Sequence, residues 1–350
     1  MKKEVLLEEW SPVANIQAFV EKSEKNYYFY LWINGLTEDA KIRNCWICNR
    51  DKAPESIKEA FEVDDEPPSM PAEFVAHNPN GIEINKESLK IVWFEEGDAA
   101  ALLSGDKILA VIPNFSGYNG FHGFSAYAKG TGPFAWEMTQ AFSKFEAQIK
   151  RSMTFWDFFS NKAYWESVNK FHMLSLTPFW GEPEKYYGID GKKFPPKSVL
   201  LGKKENILYA ITLGVSMIPM PNVDSEYGDD YRDYRRIELG FACNERHKLL
   251  LMAFVSTMSG LADYPWQYLT FFGHGHTVPC NKIEGFDYLL FLNDRLLGTM
   301  DSPKYHTFMA DKVNLLWLVP ITQKEQAFIV ENGVDAYLKG KDLSKIHILE

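Results

Sequence analysis

The feature that most constrains the fold is an apolar run near the C-terminus that stops at a proline and is followed by a helical pattern. Residues 313–319 read Val-Asn-Leu-Leu-Trp-Leu-Val, and Pro320-Ile321-Thr322 come directly after them. Apolar side chains then recur at spacings of three and four between Ala327 and Leu338, which is the pattern of a helix with one buried face. The sequence therefore predicts a core strand and a helix over residues 323–338 that packs back on the core.

Composition indicates a folded protein without a membrane span. The chain has 350 residues, of which 46% are hydrophobic and 15% aromatic, enough for one large or two ordinary domains. The first ten residues lack the apolar stretch of a signal peptide, and no apolar run approaches the roughly 20 residues that a membrane helix needs. Four cysteines are too few for a disulfide framework. We expect a soluble protein of a reducing cytoplasm.

The net charge is −10 and is unevenly distributed. Residues 1–150 contain 15 Lys and Arg against 23 Asp and Glu. An acidic surface disfavours nucleic acid, whose phosphates are bound by Lys and Arg, and it attracts a basic protein partner. Negative charge can also serve solubility alone, so the charge by itself does not decide between these two roles.

The first half of the chain is predicted to be mainly β-structure. Alternating and apolar runs predict strands, and the proline-rich residues 51–79 predict a surface loop with a short helix at 55–61. The predicted strands cover residues 16–20, 27–33, 41–50, 89–94, 99–103 and 108–113.

The pattern changes to helix near Glu137, where apolar residues from Met138 to Trp156 form one stripe. The remaining elements are predicted as helices over 163–174 and 248–261 and as strands over 198–201, 207–213, 236–242 and 288–292. This predicts an α+β protein with two domains. Residues 1–155 would form a mainly antiparallel β domain, and residues 160–350 would form a mixed α/β domain.

Two short motifs could indicate metal or redox chemistry. Cys45 and Cys48 have the C-x-x-C spacing, but they lie in a predicted strand and have no second pair nearby, which favours a structural role. His274 and His276 could face one ion from a strand, with Cys280 or Asp263 as a third ligand. The alternative is that both histidines bind backbone groups in a turn made by the adjacent glycines, so no metal is assigned.

Two further segments could bind a partner. Residues 116–124 are rich in glycine and aromatic residues, which fits either a sugar-binding platform or a loop that packs on the sheet. Residues 226–236 alternate acids, tyrosines and arginines just before a strand. Tyrosine and arginine are enriched in protein interfaces, and acids select basic partners. An ordinary solvated loop with local ion pairs would show the same composition.

Four segments, in order, resemble the Suppressor of fused domain. The first is the strand and turn at 208–217, which contains Thr212, Gly214 and Ser216, and the second is the acidic and aromatic loop that leads into Arg236-Ile237-Glu238-Leu239. The third and fourth are Gly273-His274-Gly275-His276-Thr277-Val278-Pro279 with Pro265-Trp266 before it, and the closing strand and helix from Val319 to Leu338. The resemblance covers about residues 165–350. Within the family, the chain resembles bacterial members.

The resemblance implies a protein-binding inhibitor without enzymatic activity or cofactor. Animal members hold an extended peptide of a transcription factor, and bacterial members occur beside polymorphic toxins as immunity proteins. The expected partner is therefore a basic toxin domain that the protein occludes. The family's contact loop, together with the aromatic residue of the third segment, implies a contact set of Tyr227, Asp229, Asp230, Tyr231, Asp233, Tyr234 and Trp266.

Two alternative functions remain open from the residues alone. One is a metal-dependent hydrolase centred on His274 and His276, and the other is a carbohydrate-binding module that uses residues 116–124.

Overall fold

The computed structural model describes residues 3–61 and 66–350, and the chain divides between Ser160 and Asn161 into two compact units. The first unit is mainly antiparallel β-structure, and the second combines helices with one mixed sheet. These observations confirm the predicted α+β class. Within the described residues, no helix combines the length and the apolar character needed to cross a membrane.

The first unit contains two sheets. Strands β1 to β4 form an antiparallel meander in chain order, and β5 to β9 form the second sheet, in which only β8 and β9 are parallel. The first sheet comprises β1 (Glu4–Trp10), β2 (Ile16–Lys22), β3 (Asn26–Ile33) and β4 (Lys41–Asn49). The second comprises β5 (Leu89–Trp93), β6 (Ala100–Ser104), β7 (Lys107–Ile112), β8 (Phe124–Ser125) and β9 (Trp136–Glu137). Helix α1 (Ile57–Ala60) lies in the proline-rich segment that connects β4 to β5 along the chain.

Strand β1 was not predicted from the sequence. It is an edge strand whose residues are mostly exposed, with Leu6 as its buried residue. Its glutamates face solvent, so the apolar alternation that indicates a half-buried strand is weak.

Helix α2 (Phe142–Ser160) covers the second sheet of the first unit. Its stripe buries Phe145 and Ile149 against Val92, Leu103 and Val111. The predicted helical stripe therefore faces the sheet, as the spacing of three and four requires.

The second unit is built on a mixed sheet in the order β10-β11-β12-β13-β17-β15-β14, with β13 and β17 parallel at its centre. Strands β16 and β18 pair with β17 and β13. The strands are β10 (Lys185–Gly188), β11 (Ser198–Lys204), β12 (Ile207–Leu213), β13 (Arg236–Asn244), β14 (Thr277–Ile283), β15 (Phe286–Asn293), β16 (Thr307–Phe308), β17 (Asp311–Ile321) and β18 (Ile348–Leu349). The helices are α3 (Tyr164–Trp180), α4 (Asp224–Tyr227), α5 (Lys248–Leu261), α6 (Tyr264–Tyr268), α7 (Asp294–Leu297), α8 (Gln323–Asn332) and α9 (Val334–Leu338).

Helices cover both faces of this sheet. Phe241 of β13 stacks on Phe254 of α5, whereas Glu238 of the same strand contacts His172 of α3. Residues 238 and 241 point to opposite faces of a strand because side chains alternate, so α3 and α5 lie on opposite sides. This three-layer arrangement explains why β13 and β17 are buried on both faces.

The closing strand occurs as predicted, but the helix that follows it is interrupted. Helix α8 ends at Asn332, and Gly333 takes a φ of 82° before α9 begins. The single helix predicted over 323–338 is therefore wrong at this point, because the glycine conformation ends the helical run. At its start, Thr322 and Glu325 form a reciprocal capping box.

We predict that Thr322→Ala lowers the free energy of unfolding by about 1 kcal/mol, because the first turn of α8 loses a cap that binds the backbone N–H of Glu325. Urea denaturation measures this change. Thr131→Ala, at an exposed threonine in the first unit, serves as the control. An equal effect of both substitutions would show that the capping box does not stabilise α8.

Candidate functional site

The loop predicted to contact a partner follows α4 and leads into β13. Its backbone forms a 3-10 turn over Gly228–Asp233. Asp229 and Asp230 are exposed at the start of this turn, and Tyr231 is half-buried beside the guanidinium of Arg235. The two aspartates therefore present their carboxylates to solvent.

Three arginines of this segment bind one buried carboxylate, Asp311, at the start of β17. Arg232 Nε lies 2.6 Å from Asp311 Oδ1, and Arg235 Nη2 and Arg236 Nε each lie 2.8 Å from Oδ2. Burial alone would raise the pKa of Asp311, but the guanidinium groups of Arg236 and Arg235 outweigh it and hold the pKa below its ordinary value. The arginines thus fix the loop in position, with Arg235 and Arg236 buried and Arg232 partly exposed.

Arg236 also binds the turn that follows β12. Its Nη1 donates to the carbonyl oxygens of Ser216 at 2.9 Å and Met217 at 2.6 Å. Gly214 opens this turn with a φ of 103°, and a Cβ there would lie 2.5 Å from the carbonyl oxygen of Pro196. The turn therefore requires glycine, both for its dihedral angle and for the close approach of the backbone.

Glu238, two residues after Arg236, holds the same turn from inside the unit. Its Oε1 accepts from the N–H of Gly214 at 3.0 Å, the N–H of Ser216 at 2.9 Å and the hydroxyl of Ser216 at 2.7 Å. Its Oε2 accepts from the hydroxyl of Thr212 at 2.6 Å. The two segments that carry much of the family resemblance are thus joined by hydrogen bonds through one carboxylate.

His172 of α3 contacts this carboxylate, with Nε2 3.5 Å from Glu238 Oε1. Burial raises the pKa of Glu238 to about 7, against the opposing effect of its hydrogen bonds from Thr212 and Ser216. Burial also lowers the pKa of His172 to about 3, so the imidazole is neutral at physiological pH. The side chains of Glu238 and His172 are both fully enclosed. This pair therefore belongs to the interior of the unit and does not face a substrate.

Asp233 and Tyr234 of the predicted contact set have intramolecular partners. The carboxylate of Asp233 pairs with Lys312, and its carbonyl oxygen accepts from Asn314 Nδ2 at 2.9 Å. The ring of Tyr234 stacks on that of Tyr227, with centroids 4.0 Å apart. Both residues remain partly exposed, so each has a structural contact as well as an accessible surface.

The structure places Trp266 in the interior instead of at the surface. Its side chain is 3% exposed, its Nε1 donates to the carbonyl oxygen of Pro219 at 3.0 Å, and Lys197 Nζ lies 5.0 Å from its ring centroid. The predicted contact role of Trp266 therefore needs correction, because the indole is covered on both its polar and its aromatic sides.

His274 and His276 lie in a turn before β14, not on a strand as the metal hypothesis required. His276 Nδ1 accepts the N–H of Gly273 at 3.2 Å, and His274 Nδ1 accepts the N–H of Asn293 at 3.1 Å. Within residues 3–61 and 66–350 there is no group of three or more His, Cys, Asp or Glu that could hold a metal ion. The backbone-binding alternative describes the observed geometry.

Residues 116–124 form a loop that packs on its own unit. Phe121 is buried and its ring meets those of Phe115, Phe124 and Trp136. Tyr118 is the most exposed ring of this loop. The aromatic residues therefore mostly fill the loop interior, which leaves a smaller surface for a sugar than the sequence pattern suggested.

Cys45 and Cys48 lie on β4, and both thiols are free and buried. Burial raises the pKa of each thiol, which opposes the thiolate that redox or zinc chemistry needs. The structural interpretation of this C-x-x-C motif agrees with its surroundings.

A pocket of about 480 Å³ that was not predicted from the sequence lies beside the loop. Its wall contains aromatic residues of α6 and of the segment after it, and it extends to the start of β14. The signal was present in the sequence, since residues 264–272 read Tyr-Pro-Trp-Gln-Tyr-Leu-Thr-Phe-Phe. Only Trp266 was selected from this run, and its side chain is buried. The lining residues are Tyr264, Tyr268, Thr270, Phe271, Phe272, Gly275, His276, Thr277 and Val278.

We predict that Asp311→Asn lowers the free energy of unfolding by roughly 3–5 kcal/mol, because three guanidinium groups would lose their shared counter-charge in a buried place. Guanidinium chloride denaturation measures the loss. Asp301→Asn, at an exposed aspartate of the same unit, should change the free energy by less than about 0.5 kcal/mol. Similar small effects at both positions would contradict the assigned role of Asp311.

A second prediction concerns pH and His172. Between its ordinary pKa of 6.5 and its folded pKa of about 3, the unfolded chain binds a proton that the folded chain does not, so this group costs stability as pH falls below 6.5. His172→Asn removes that titration. The wild type should therefore lose its stability advantage over the variant as the pH falls. Denaturation of both proteins at pH 7.5, 6.0 and 5.0 measures this difference. Exposed His306→Asn is the control, and a pH-independent difference for His172→Asn would refute the prediction.

Comparison with known proteins agrees with the resemblance in the second half of the chain. Residues 190–350 match the family described as Suppressor of fused protein (SUFU), so the match begins later than the expected position near residue 165. The comparison with curated proteins gave no match. The matched region covers the loop, the Arg236 and Glu238 contacts, the aromatic pocket and the closing strand, and it indicates a protein-interaction role. The match to the Suppressor of fused family therefore covers residues 190–350, which is somewhat less than half of the chain.

Proposed function

We propose that this protein is a bacterial immunity protein, a non-enzymatic inhibitor that binds a polymorphic toxin and occludes its active surface. The Suppressor of fused domain supports a role in protein binding. Its resemblance to bacterial members of the family supports the more specific role. We assign binding to the second unit and no role to residues 1–155, the proposed N-terminal domain.

The observation that carries the proposal is an exposed acidic loop on a rigid base. Asp229 and Asp230 are exposed, while Arg232, Arg235 and Arg236 fix the same segment to Asp311. A loop whose backbone is already fixed loses little conformational entropy on binding. Tyr227, Tyr231 and Tyr234 add half-buried rings beside the acids, and tyrosine is a frequent interface residue. We assign the contact surface to Tyr227, Asp229, Asp230, Tyr231, Asp233 and Tyr234.

The charge of the chain supports a basic partner. A net charge of −10 creates a field that accelerates the approach of a positively charged protein. A basic toxin domain, such as one that acts on nucleic acid, has the complementary charge. We therefore place the complex in the cytoplasm of the producing cell, where an immunity protein must meet its toxin, without nucleic acid or a membrane as a direct partner.

The two alternative functions have less geometric support. A hydrolase centred on His274 and His276 would need further ligands, and both Nδ1 atoms already accept backbone N–H groups. A sugar platform on residues 116–124 would depend mainly on Tyr118, because Phe121 is buried. The acidic loop has exposed side chains on a backbone that ion pairs hold in place. Neither the histidine pair nor residues 116–124 offers both features.

The proposal predicts that the purified protein forms a complex with the toxin domain encoded next to it. Reversing the charge of the loop with Asp229→Lys and Asp230→Lys should lower the association rate about tenfold at low salt, because the electrostatic attraction is lost at the contact surface. Surface plasmon resonance at several salt concentrations measures this rate.

The matched control is Glu38→Lys with Asp39→Lys, an exposed acidic pair in the first unit. It changes the net charge equally, so it separates the local effect from the overall charge. The proposed function fails if no toxin domain encoded beside the protein binds it. The assigned surface fails if both double variants slow association equally.

A further inference from the structure

The pocket beside the acidic loop has walls of aromatic rings that are in contact with one another. The ring centroid of Tyr264 lies 4.4 Å from that of Tyr268 and 5.4 Å from that of Phe272. On the other side, Phe271 lies 5.3 Å from His276. These contacts fix the rings around an open space of about 480 Å³, so the pocket exists before any ligand enters it.

Several of these rings are accessible to solvent. Tyr268 is 58% exposed, and Tyr264, Phe271 and His276 are partly exposed. A folded chain rarely places several neighbouring aromatic rings at its surface without a partner for them. The faces of aromatic rings carry negative potential and attract cations, and arginine is the side chain that most often stacks on them.

Acidic residues occur next to two residues that neighbour the pocket wall, Tyr227 and His274. The ring of Tyr227 lies 6.2 Å from that of Phe271, and the exposed Asp229 and Asp230 follow Tyr227 within three residues. On another side, Asp335 is close enough to His274 to oppose the lowering of its pKa by burial. Charge complementarity at the pocket therefore favours a cationic occupant over an apolar one.

His276 is compatible with a cation in the pocket. Its Nδ1 accepts the N–H of Gly273 at 3.2 Å, which assigns the neutral tautomer with the proton on Nε2. The ring therefore adds an aromatic face to the wall without adding a positive charge.

The adjacent edge of the sheet is poorly suited to binding a partner by adding a strand. Strand β14 is the last strand in the order of the sheet, and Pro279 lies within it. The pairing of β14 with β15 is also irregular between Pro279 and Ile283. Proline lacks the N–H that a further strand would need, and irregular pairing is a common protection of sheet edges. Recognition here therefore depends on an inserted side chain more than on backbone pairing.

We propose that this pocket binds an arginine side chain of the protein partner, with its guanidinium between the aromatic rings and near the acidic loop. This inference rests on the proposed function, since it names the chemical group that the protein-binding surface recognises. The pocket gives the surface a specific contact, whereas the exposed aspartates act mainly through long-range attraction. A partner without an arginine at its contact surface would bind without filling the pocket.

The test uses N-acetyl-arginine N-methylamide as the probe and N-acetyl-citrulline N-methylamide as its neutral isostere. NMR titration of the 350-residue protein at low salt should show millimolar binding of the arginine compound, with shifts at residues 264–278. The citrulline compound should bind at least fivefold more weakly, because it keeps the shape but lacks the charge. Equal binding of the two compounds, or no shifts at the pocket, would overturn the proposal.

Variants of Tyr268 test the aromatic wall. Tyr268→Leu should weaken binding of the arginine compound about fivefold, whereas Tyr268→Phe keeps the ring face and should retain it. Tyr118→Leu, at a 72% exposed tyrosine of the first unit, is the matched control and should bind as wild type. Circular dichroism establishes that each variant folds. Wild-type affinity of a folded Tyr268→Leu variant would contradict the proposal.

The two proposals can fail separately. If the neighbouring toxin domain binds but the arginine compound does not, the pocket assignment is wrong and the protein-binding function stands. If the arginine compound binds as described but no neighbouring toxin domain does, the pocket assignment stands and the immunity function falls.

Discussion

The buried carboxylate of Asp311 determines where the proposed binding loop lies. A buried charge is costly unless it is paired and hydrogen-bonded, and here three guanidinium groups from Arg232, Arg235 and Arg236 surround it. Arg236 also donates hydrogen bonds to carbonyl oxygens of the turn after β12. Glu238 accepts hydrogen bonds from backbone N–H groups of the same turn. One connected set of charged groups thus joins β12, the loop, β13 and β17, and the acids on the loop surface depend on it for their position.

This arrangement separates residues that maintain the domain from residues that are available to a partner. The segments through which the chain resembles the Suppressor of fused domain are mainly internal: Thr212 and Ser216 bind Glu238, and Trp266 and His274 bind backbone groups. Family resemblance therefore identifies the framework of the domain. The accessible chemistry lies between these segments, in exposed aspartates and in rings such as Tyr268.

Periodicity predicted most of the regular elements because burial imposes it. Residues 248–261 form α5 with the predicted limits, and the apolar run before Thr322 forms the central strand β17. The edge strand β1 was missed because its exposed glutamates hide the alternation. The site was harder to predict, since the exposure of a side chain depends on contacts distant in sequence. Arg236 and Asp311 are 75 residues apart, so no local pattern shows that Arg235 and Arg236 are internal. The same limit made Trp266 look like a contact residue.

The central claim is that the acidic loop and the aromatic pocket beside it form one protein-binding surface. Hydrogen–deuterium exchange of the protein, alone and bound to its proposed toxin partner, tests this claim most directly. The account predicts added protection at residues 227–234 and 264–278 in the complex, with little change in β13 and β17, which are already buried. Protection confined to residues 3–61 and 66–160, with none in these two segments, would contradict it.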